Sequence, residues 1–134
     1  MEITIEQIEN ALEKSNKEHY GLPVVEIDGK EYAVGNEDSV AFAMIEYCKE
    51  NIQYFNVEFL TQNSKFSTNL FAILQKNEVY EPEVYLELIN DIDEFAENAR
   101  CADGAGHFFA SYDGEEIEIC NENSEIEYYL YRIN

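Results

Sequence analysis

Basic residues are scarce in this sequence, which has eight Lys and Arg against 29 Asp and Glu and a net charge of −21. Such a field repels nucleic acid and anionic lipid headgroups, so direct binding of DNA, RNA or a membrane is disfavoured. The shortage is uneven. Residues 1–76 hold thirteen acids and six Lys (−7), whereas residues 77–134 hold sixteen acids and only Arg100 and Arg132 (−14). This charge costs stability through self-repulsion, and it attracts basic surfaces over long range.

The sequence is also poor in the residues that build disulfide frameworks and zinc sites. Cys48, Cys101 and Cys120 are odd in number and widely spaced, which indicates free thiols in a reducing compartment. With two histidines, a zinc site would need nearer ligands. No window of about 18 apolar residues is present, and Met1 leads into an acidic amphipathic segment rather than a signal sequence. We therefore expect a cytoplasmic protein without a metal or cofactor.

Apolar residues, by contrast, are plentiful at 46% of the chain, and aromatic residues make up 13%. A disordered acidic tail has far fewer of both, so the acidity belongs to a folded body with a core rich in Tyr and Phe. The length of 134 residues suits one domain, and neither a linker nor an internal repeat is evident. We expect a single acidic α+β domain over residues 1–134.

The first half of the chain predicts a helix, a hairpin and a second helix. Thr4 and Gln7 resemble a capping box for a helix over residues 4–18. Two short strands over residues 24–34 flank an Asp-Gly turn of the kind favoured in hairpins. Asn36 is a suitable N-cap for a helix with one apolar face, and Asn56 and Ser67 are suitable caps for two short helical turns.

The second half predicts a long helix followed by strands. Pro82 suits a first turn, and apolar residues then repeat at three and four up to Ala99, which predicts one helix of five turns. Period-two patterns over residues 108–120 around Asp113 and Gly114 predict a second hairpin, and residues 126–133 predict a last strand. The expected fold is an antiparallel sheet of two hairpins plus a C-terminal strand, with about four to five strands and three to five helices.

Carboxylates form regular rows on these predicted elements. Alternate side chains of a strand lie about 6.6 Å apart, and residues four apart on a helix are neighbours. Two such rows would imitate the phosphate track that a nucleic-acid-binding protein neutralises with Lys and Arg. Acids on one helix face are also often simply solvated, and only the overall excess favours mimicry. The candidate partner-binding residues are Glu83, Glu87, Asp91, Glu94, Glu97, Glu116 and Glu118, with Tyr129 and Tyr131 as aromatic anchors.

A second candidate site is the glycine-rich connection after the long helix. Gly104 and Gly106 would let backbone N–H groups face an anion, and His107 would add a donor or a base. The segment lacks the spacing and the Lys of a phosphate-binding loop, so a plain connection is the simpler interpretation. Cys48, Cys101 or Ser111 with His107 would make a nucleophile and base, yet no activating signature surrounds them, and we expect no enzyme.

The C-terminal segment DGAGHFFASYDGEEIEI at residues 103–119, with YYLYRIN at 128–134, resembles an ending that recurs in small phage and prophage proteins. EYAVGNEDS at 31–39 and YFNVEFL at 54–60 extend the resemblance over most of the chain. In that family pattern an Arg often stands where this chain has Ala105. The family has no settled activity, but the resemblance implies a mobile-element product, and small acidic phage proteins commonly disarm restriction or CRISPR nucleases.

The leading hypothesis is therefore a stoichiometric inhibitor that occupies the basic groove of a host nucleic-acid-binding protein, in the manner of an anti-CRISPR protein. Two other hypotheses stay open. One is an accessory domain that binds a small ligand at Gly104, Gly106 and His107. The other is a self-associating regulatory or structural phage protein that dimerises through aromatic side chains of its last strand.

Overall fold

The computed structural model describes residues 2–134, which form seven α-helices, one 3-10 helix and five strands. The chain begins with α1 (Ile5–Glu13), β1 (Lys17–His19), β2 (Leu22–Ile27), β3 (Lys30–Gly35) and α2 (Glu37–Asn51). The 3-10 helix Ile52–Tyr54 is followed by α3 (Val57–Gln62), α4 (Thr68–Lys76), α5 (Pro82–Leu88) and α6 (Ile92–Asp103). The chain then forms α7 (Ala105–Phe109), β4 (Ile117–Cys120) and β5 (Ile126–Arg132).

The strands form one antiparallel sheet in the order β1-β2-β3-β5-β4, so β1 and β4 are its two edges. The expected α+β class with four to five antiparallel strands is confirmed. Asp28 and Gly29 both have positive φ values, of 54° and 77°, in the turn between β2 and β3. This turn and the first hairpin agree with the sequence, because a two-residue hairpin turn of this kind needs left-handed backbone.

The sheet lies between one helix and a layer of helices. Side chains of one face, among them Val25, Tyr32 and Leu130, pack with Ile8 of α1. Alternate residues of the same strands, among them Ala33 and Tyr131, pack with α2, α6 and α7 in the larger core cluster. The alternation follows from the period of two in a strand.

Local capping chemistry explains where three of the helices begin. The side chain of Thr4 accepts from the backbone of Gln7, the side chain of Asn36 from Ser39, and the side chain of Asn56 from Phe59. These three predicted caps are confirmed. Helix α1 is shorter than predicted, since it ends at Glu13, and residues 17–19 instead form the edge strand β1.

The prediction of a single long helix from Pro82 to Ala99 is wrong. Helix α5 ends at Leu88, and the backbone N–H of Asn90 donates to the carbonyl oxygen of Asn63 at 2.8 Å. Asp91 then caps α6, with its side chain accepting from the N–H groups of Asp93 (2.8 Å) and Glu94 (3.4 Å). The apolar residues continue to repeat at three and four across the break because α5 and α6 both bury their apolar side chains in the larger core cluster.

The second predicted hairpin is also placed differently. Residues 105–109, which include the start of its expected first strand, form helix α7, and β4 pairs with β5 instead. Phe109 of α7 is fully buried, with its ring centroid 5.6 Å from that of Tyr131. Packing of Phe109 against Tyr131 therefore overrides the alternating pattern that predicted a strand in this segment.

Candidate partner-binding surface

Almost all of the carboxylates face water. Of the 29 acidic residues, 27 are exposed, and Glu31 and Glu46 are half-buried. Across residues 2–134 three ion pairs are formed, namely Lys17 with Glu31, Lys49 with Glu46, and Arg100 with Glu37. The remaining 26 acids have no cation within 4.0 Å in this range, so their field reaches solvent largely uncompensated.

The imbalance is strongest in the segment that forms α6, α7, β4 and β5. Residues 92–134 contain eleven acids and two arginines, a net charge of −9. Arg132 donates from Nε to the backbone oxygen of Asn134 at 2.6 Å, and its guanidinium lies 3.7 Å from the ring centroid of Tyr112. Arg132 is thus held in contacts within the protein, which limits how far its charge offsets the acids around it.

Arg100 is the cation around which part of the predicted surface is organised. It makes a bidentate pair with Glu37 of α2, with N–O distances of 2.8 and 3.0 Å. Its guanidinium also lies 5.6 Å from the ring centroid of Tyr129, and its side chain is only 15% exposed. The hydrogen bond from Arg100 lowers the pKa of Glu37. This pair ties the C-terminal end of α6 to the first turn of α2.

Glu116 and Glu118 lie next to this pair. Tyr131 donates its hydroxyl to Oε2 of Glu116 at 2.7 Å, and Glu118 stands opposite Tyr129 in the pairing of β4 with β5. Burial, followed by the bond to Glu116, raises the pKa of Tyr131. Tyr131 is fully buried, so its expected role as an exposed aromatic anchor is wrong, and Tyr129 is half-buried.

The other predicted acids are divided among three places. Glu94 and Glu97 are exposed on α6, and Glu97 lies one turn before Arg100. Asp91 is the N-cap of α6 rather than a member of its outer face. Glu83 and Glu87 are exposed on α5, a separate helix that packs against the 3-10 helix and α2. The structure therefore brings Glu116 near Arg100, with Glu118 opposite Tyr129 and Glu97 one turn before Arg100, while Glu83 and Glu87 lie on a separate helix.

The glycine-rich connection joins two helices instead of a helix and a strand. Gly104 has a φ of 82° and ends α6. Gly106 is buried in α7, where a Cβ atom would lie 2.7 Å from the carbonyl oxygen of Gly114 and 2.8 Å from the carbonyl carbon of Glu115. Both glycines thus have conformational or packing reasons to be glycine.

His107 is exposed beside a concave site with a volume of about 370 Å³. The walls combine four aromatic rings with polar groups, and the residues that line it are Tyr47, Asn51, Tyr54, Phe55, Asn56, Asp103, His107 and Phe108. Sequence reasoning found His107 but missed the aromatic partners Tyr47, Tyr54 and Phe55, which come from α2 and from the 3-10 helix and its C-cap. Phe108 follows His107 in the sequence, whereas the proximity of the other three rings follows from tertiary packing.

The thiols and acids give further constraints on chemistry. Burial raises the pKa of the Cys48 thiol to about 12, which keeps it protonated at neutral pH. Within residues 2–134, no three His, Cys, Asp or Glu side chains are arranged to hold a metal ion. Over the same range, no helix is both long and apolar enough to cross a bilayer.

Comparisons with models of protein families, with curated proteins and with solved structures found no match to the chain.

Proposed function

We propose that this chain is a stoichiometric inhibitor of a basic nucleic-acid-binding protein of a bacterial host, such as a CRISPR effector nuclease. In this proposal the chain occupies the groove in which its target holds nucleic acid. The supporting observation is the exposure of 27 of 29 carboxylates, of which only Glu37 has a cation within 4.0 Å among residues 2–134.

The physical basis is competition for the same cations. A nucleic-acid groove collects Lys and Arg that neutralise phosphates, and a dense row of carboxylates meets the same demand. The acids around α6 and β4 belong to a segment with a net charge of −9, whereas the six lysines all belong to residues 1–76. We place the contact surface on Glu94, Glu97, Glu116 and Glu118.

The resemblance of the C-terminal segment to small phage proteins agrees with a target in host defence. An acidic inhibitor of this kind has no need for a substrate pocket or a catalytic group. Its effect depends on charge complementarity, which raises association rates more than it raises affinity. Because each chain occupies one groove, the inhibitor is expected to act at a ratio of one chain to one binding groove.

The test is displacement of proteins from DNA. Proteins of a bacterial lysate are bound to immobilised duplex DNA, the purified chain is added, and released proteins are quantified by mass spectrometry. We expect release of a small set of nucleic-acid-binding proteins, falling steeply between about 50 and 200 mM salt because the contacts are ionic.

Two variants of equal charge locate the surface. One replaces Glu94, Glu97, Glu116 and Glu118 with Gln, and the matched control replaces Glu6, Glu9, Glu13 and Glu26, which lie on α1 and β2. Only the first variant should lose release. Equal loss in both would show that net charge alone acts, and release unaffected in both would contradict the proposal.

A second candidate function is the binding of a small ligand beside His107. The observation that favours it is the site of about 370 Å³, in which Asp103 accompanies the aromatic rings of Tyr47, Tyr54, Phe55 and Phe108. This combination suits an organic cation. The displacement assay separates the two functions, because His107→Ala should leave release from DNA unchanged if the carboxylate surface is responsible.

A further inference from the structure

The two edges of the sheet are protected to different degrees. Strand β1 has only three residues, and one of them, Lys17, forms an ion pair with Glu31 of β3. Short edge strands with Lys resist pairing with other chains. Strand β4, with the sequence Ile-Glu-Ile-Cys, is four residues long and carries neither Lys nor Pro, and its pairing with β5 shifts register between Ile119 and Cys120. Within residues 2–134 its backbone pairs only with β5, so its outer side is open.

A groove lies on the sheet face inward of this edge, between β3 and β4. Its volume is about 590 Å³, and the residues that line it are Glu2, Ile3, Lys30, Tyr32, Ile117, Glu118, Ile119 and Cys120. Ile117, Ile119 and Tyr32 belong to the sheet face that α1 covers, yet α1 packs mainly on β2. The part of this face that belongs to β4 is therefore left partly uncovered, with Ile117 and Ile119 half-buried.

The opposite face of β4 is acidic. Glu118 is exposed, and Glu116, two residues earlier, is exposed and lies close enough to accept from Tyr131. A strand placed beside β4 would thus have aliphatic groups next to one of its faces and carboxylates next to the other. Among residues 2–134, Lys30 is the one cation that lines the groove.

We propose that the outer edge of β4 binds an extended basic segment of a partner protein, which joins the sheet as a sixth strand. The segment alternates aliphatic residues, which lie over Ile3, Ile117 and Ile119, with Lys or Arg, which lie over Glu116 and Glu118. Backbone hydrogen bonds supply affinity in this mode, and the alternate side chains supply specificity.

A second copy of this chain fits the edge poorly. Antiparallel pairing of β4 with β4 would bring Glu116 and Glu118 of one copy beside the same residues of the other. Like charges opposite each other destabilise a sheet, and two bodies of −21 charge repel. A basic strand removes both penalties. This inference goes beyond the proposed function, since the edge can bind such a strand whether or not the partner also binds nucleic acid.

The test uses the intact protein and a synthetic peptide, Lys-Val-Lys-Val-Lys-Val-Lys with blocked ends and a fluorescent label. Two further versions are N-methylated at the valines or at the lysines. The N–H groups of alternate residues point to opposite edges of a strand, so one of the two versions must lose its pairing with β4. Charge is the same in all three peptides.

We expect fluorescence anisotropy to show binding of the parent peptide, at least tenfold weaker binding of one methylated version, and near-parental binding of the other. Glu118→Gln should weaken binding by about two- to fivefold, as expected for one exposed ion pair, while the matched Glu9→Gln on α1 has no effect. Amide hydrogen exchange should show new protection in β4.

Three results would overturn the inference. Equal binding of all three peptides would indicate adsorption by charge alone, and absence of binding at low salt would show that the edge is closed. Light scattering that shows a dimer whose β4 amides are already protected would assign the edge to a second copy. The DNA displacement assay is independent, so failure of one test leaves the other intact.

Discussion

Gly106 shows how a single position that suggests a ligand site has a packing role instead. It lies inside α7, where Ala would ordinarily be the better helix former by about 0.5–1 kcal/mol. A Cβ atom there would meet backbone atoms of Gly114 and Glu115 at 2.7 and 2.8 Å, and backbone cannot move aside cheaply. The glycine therefore allows the segment before β4 to approach α7 closely.

We predict that Gly106→Ala lowers the free energy of unfolding by about 1–3 kcal/mol, the usual cost of overpacking. Urea denaturation measures the change. Gly104→Ala is the comparison, because its Cβ would meet nothing within 4 Å and its cost of about 1–3 kcal/mol comes from the backbone conformation alone, with φ 82° and ψ 147°. A more stable Gly106→Ala protein would show that α7 and residues 114–115 lie farther apart than these distances.

Residue chemistry explains which site residues the sequence could predict. Exposure of Glu94, Glu97, Glu116 and Glu118 follows from the rule that unpaired carboxylates stay in water. The burial of Tyr131 does not follow from the period of two, because both faces of β5 are covered by helices. The pairing of Arg100 with Glu37 joins residues 63 positions apart, and no local pattern encodes such a contact.

Asp91 decides how the elements of the second half are divided. A continuous helix would place this residue on a solvated outer face, where its loss matters little. The structure makes it the N-cap of α6, and the sequence did contain this signal, because Asp91 and Glu94 have the spacing of a capping motif. The apolar period concealed the break, and the bond from Asn90 to Asn63 that fixes it is a tertiary contact.

We predict that Asp91→Ala destabilises the protein by about 1 kcal/mol and that Asp91→Asn, which keeps a capping oxygen, retains most of the stability. Glu87→Ala on the exposed side of α5 is the matched control, since it removes one negative charge without removing a cap, and it should change stability by less than about 0.5 kcal/mol. Thermal or urea unfolding gives both values. Equal effects of Asp91→Ala and Glu87→Ala would contradict the break.

Elements with strong local signals were predictable, and elements that depend on packing were not. The Asp-Gly hairpin of β2 and β3 and the capped start of α2 each combine a turn or cap residue with a clear apolar pattern. Helix α7 has five residues and no side-chain cap, so its conformation depends on burial of Phe109 against β5 and α2. Short segments of this kind take their structure from their neighbours.

The charge of the whole molecule makes a prediction that needs no knowledge of its partner. Three ion pairs stand against 26 acids without a cation within 4.0 Å in residues 2–134, so repulsion outweighs attraction among the exposed charges. Salt screens both, and the Debye length falls from about 30 Å at 0.01 M to about 10 Å at 0.1 M. Because the unfolded chain spreads its charges farther apart, screening stabilises the folded state more.

We predict that the melting temperature rises with NaCl and that most of the rise occurs below about 0.2 M, where screening changes fastest. A gain of about 1 kcal/mol corresponds to roughly 4 °C for a chain of this size. Both four-acid Gln variants should melt higher than the parent at low salt and depend less on salt. A melting temperature that falls with NaCl would mean that ion pairs dominate, and the uncompensated surface on which the inhibitor proposal depends would then be absent.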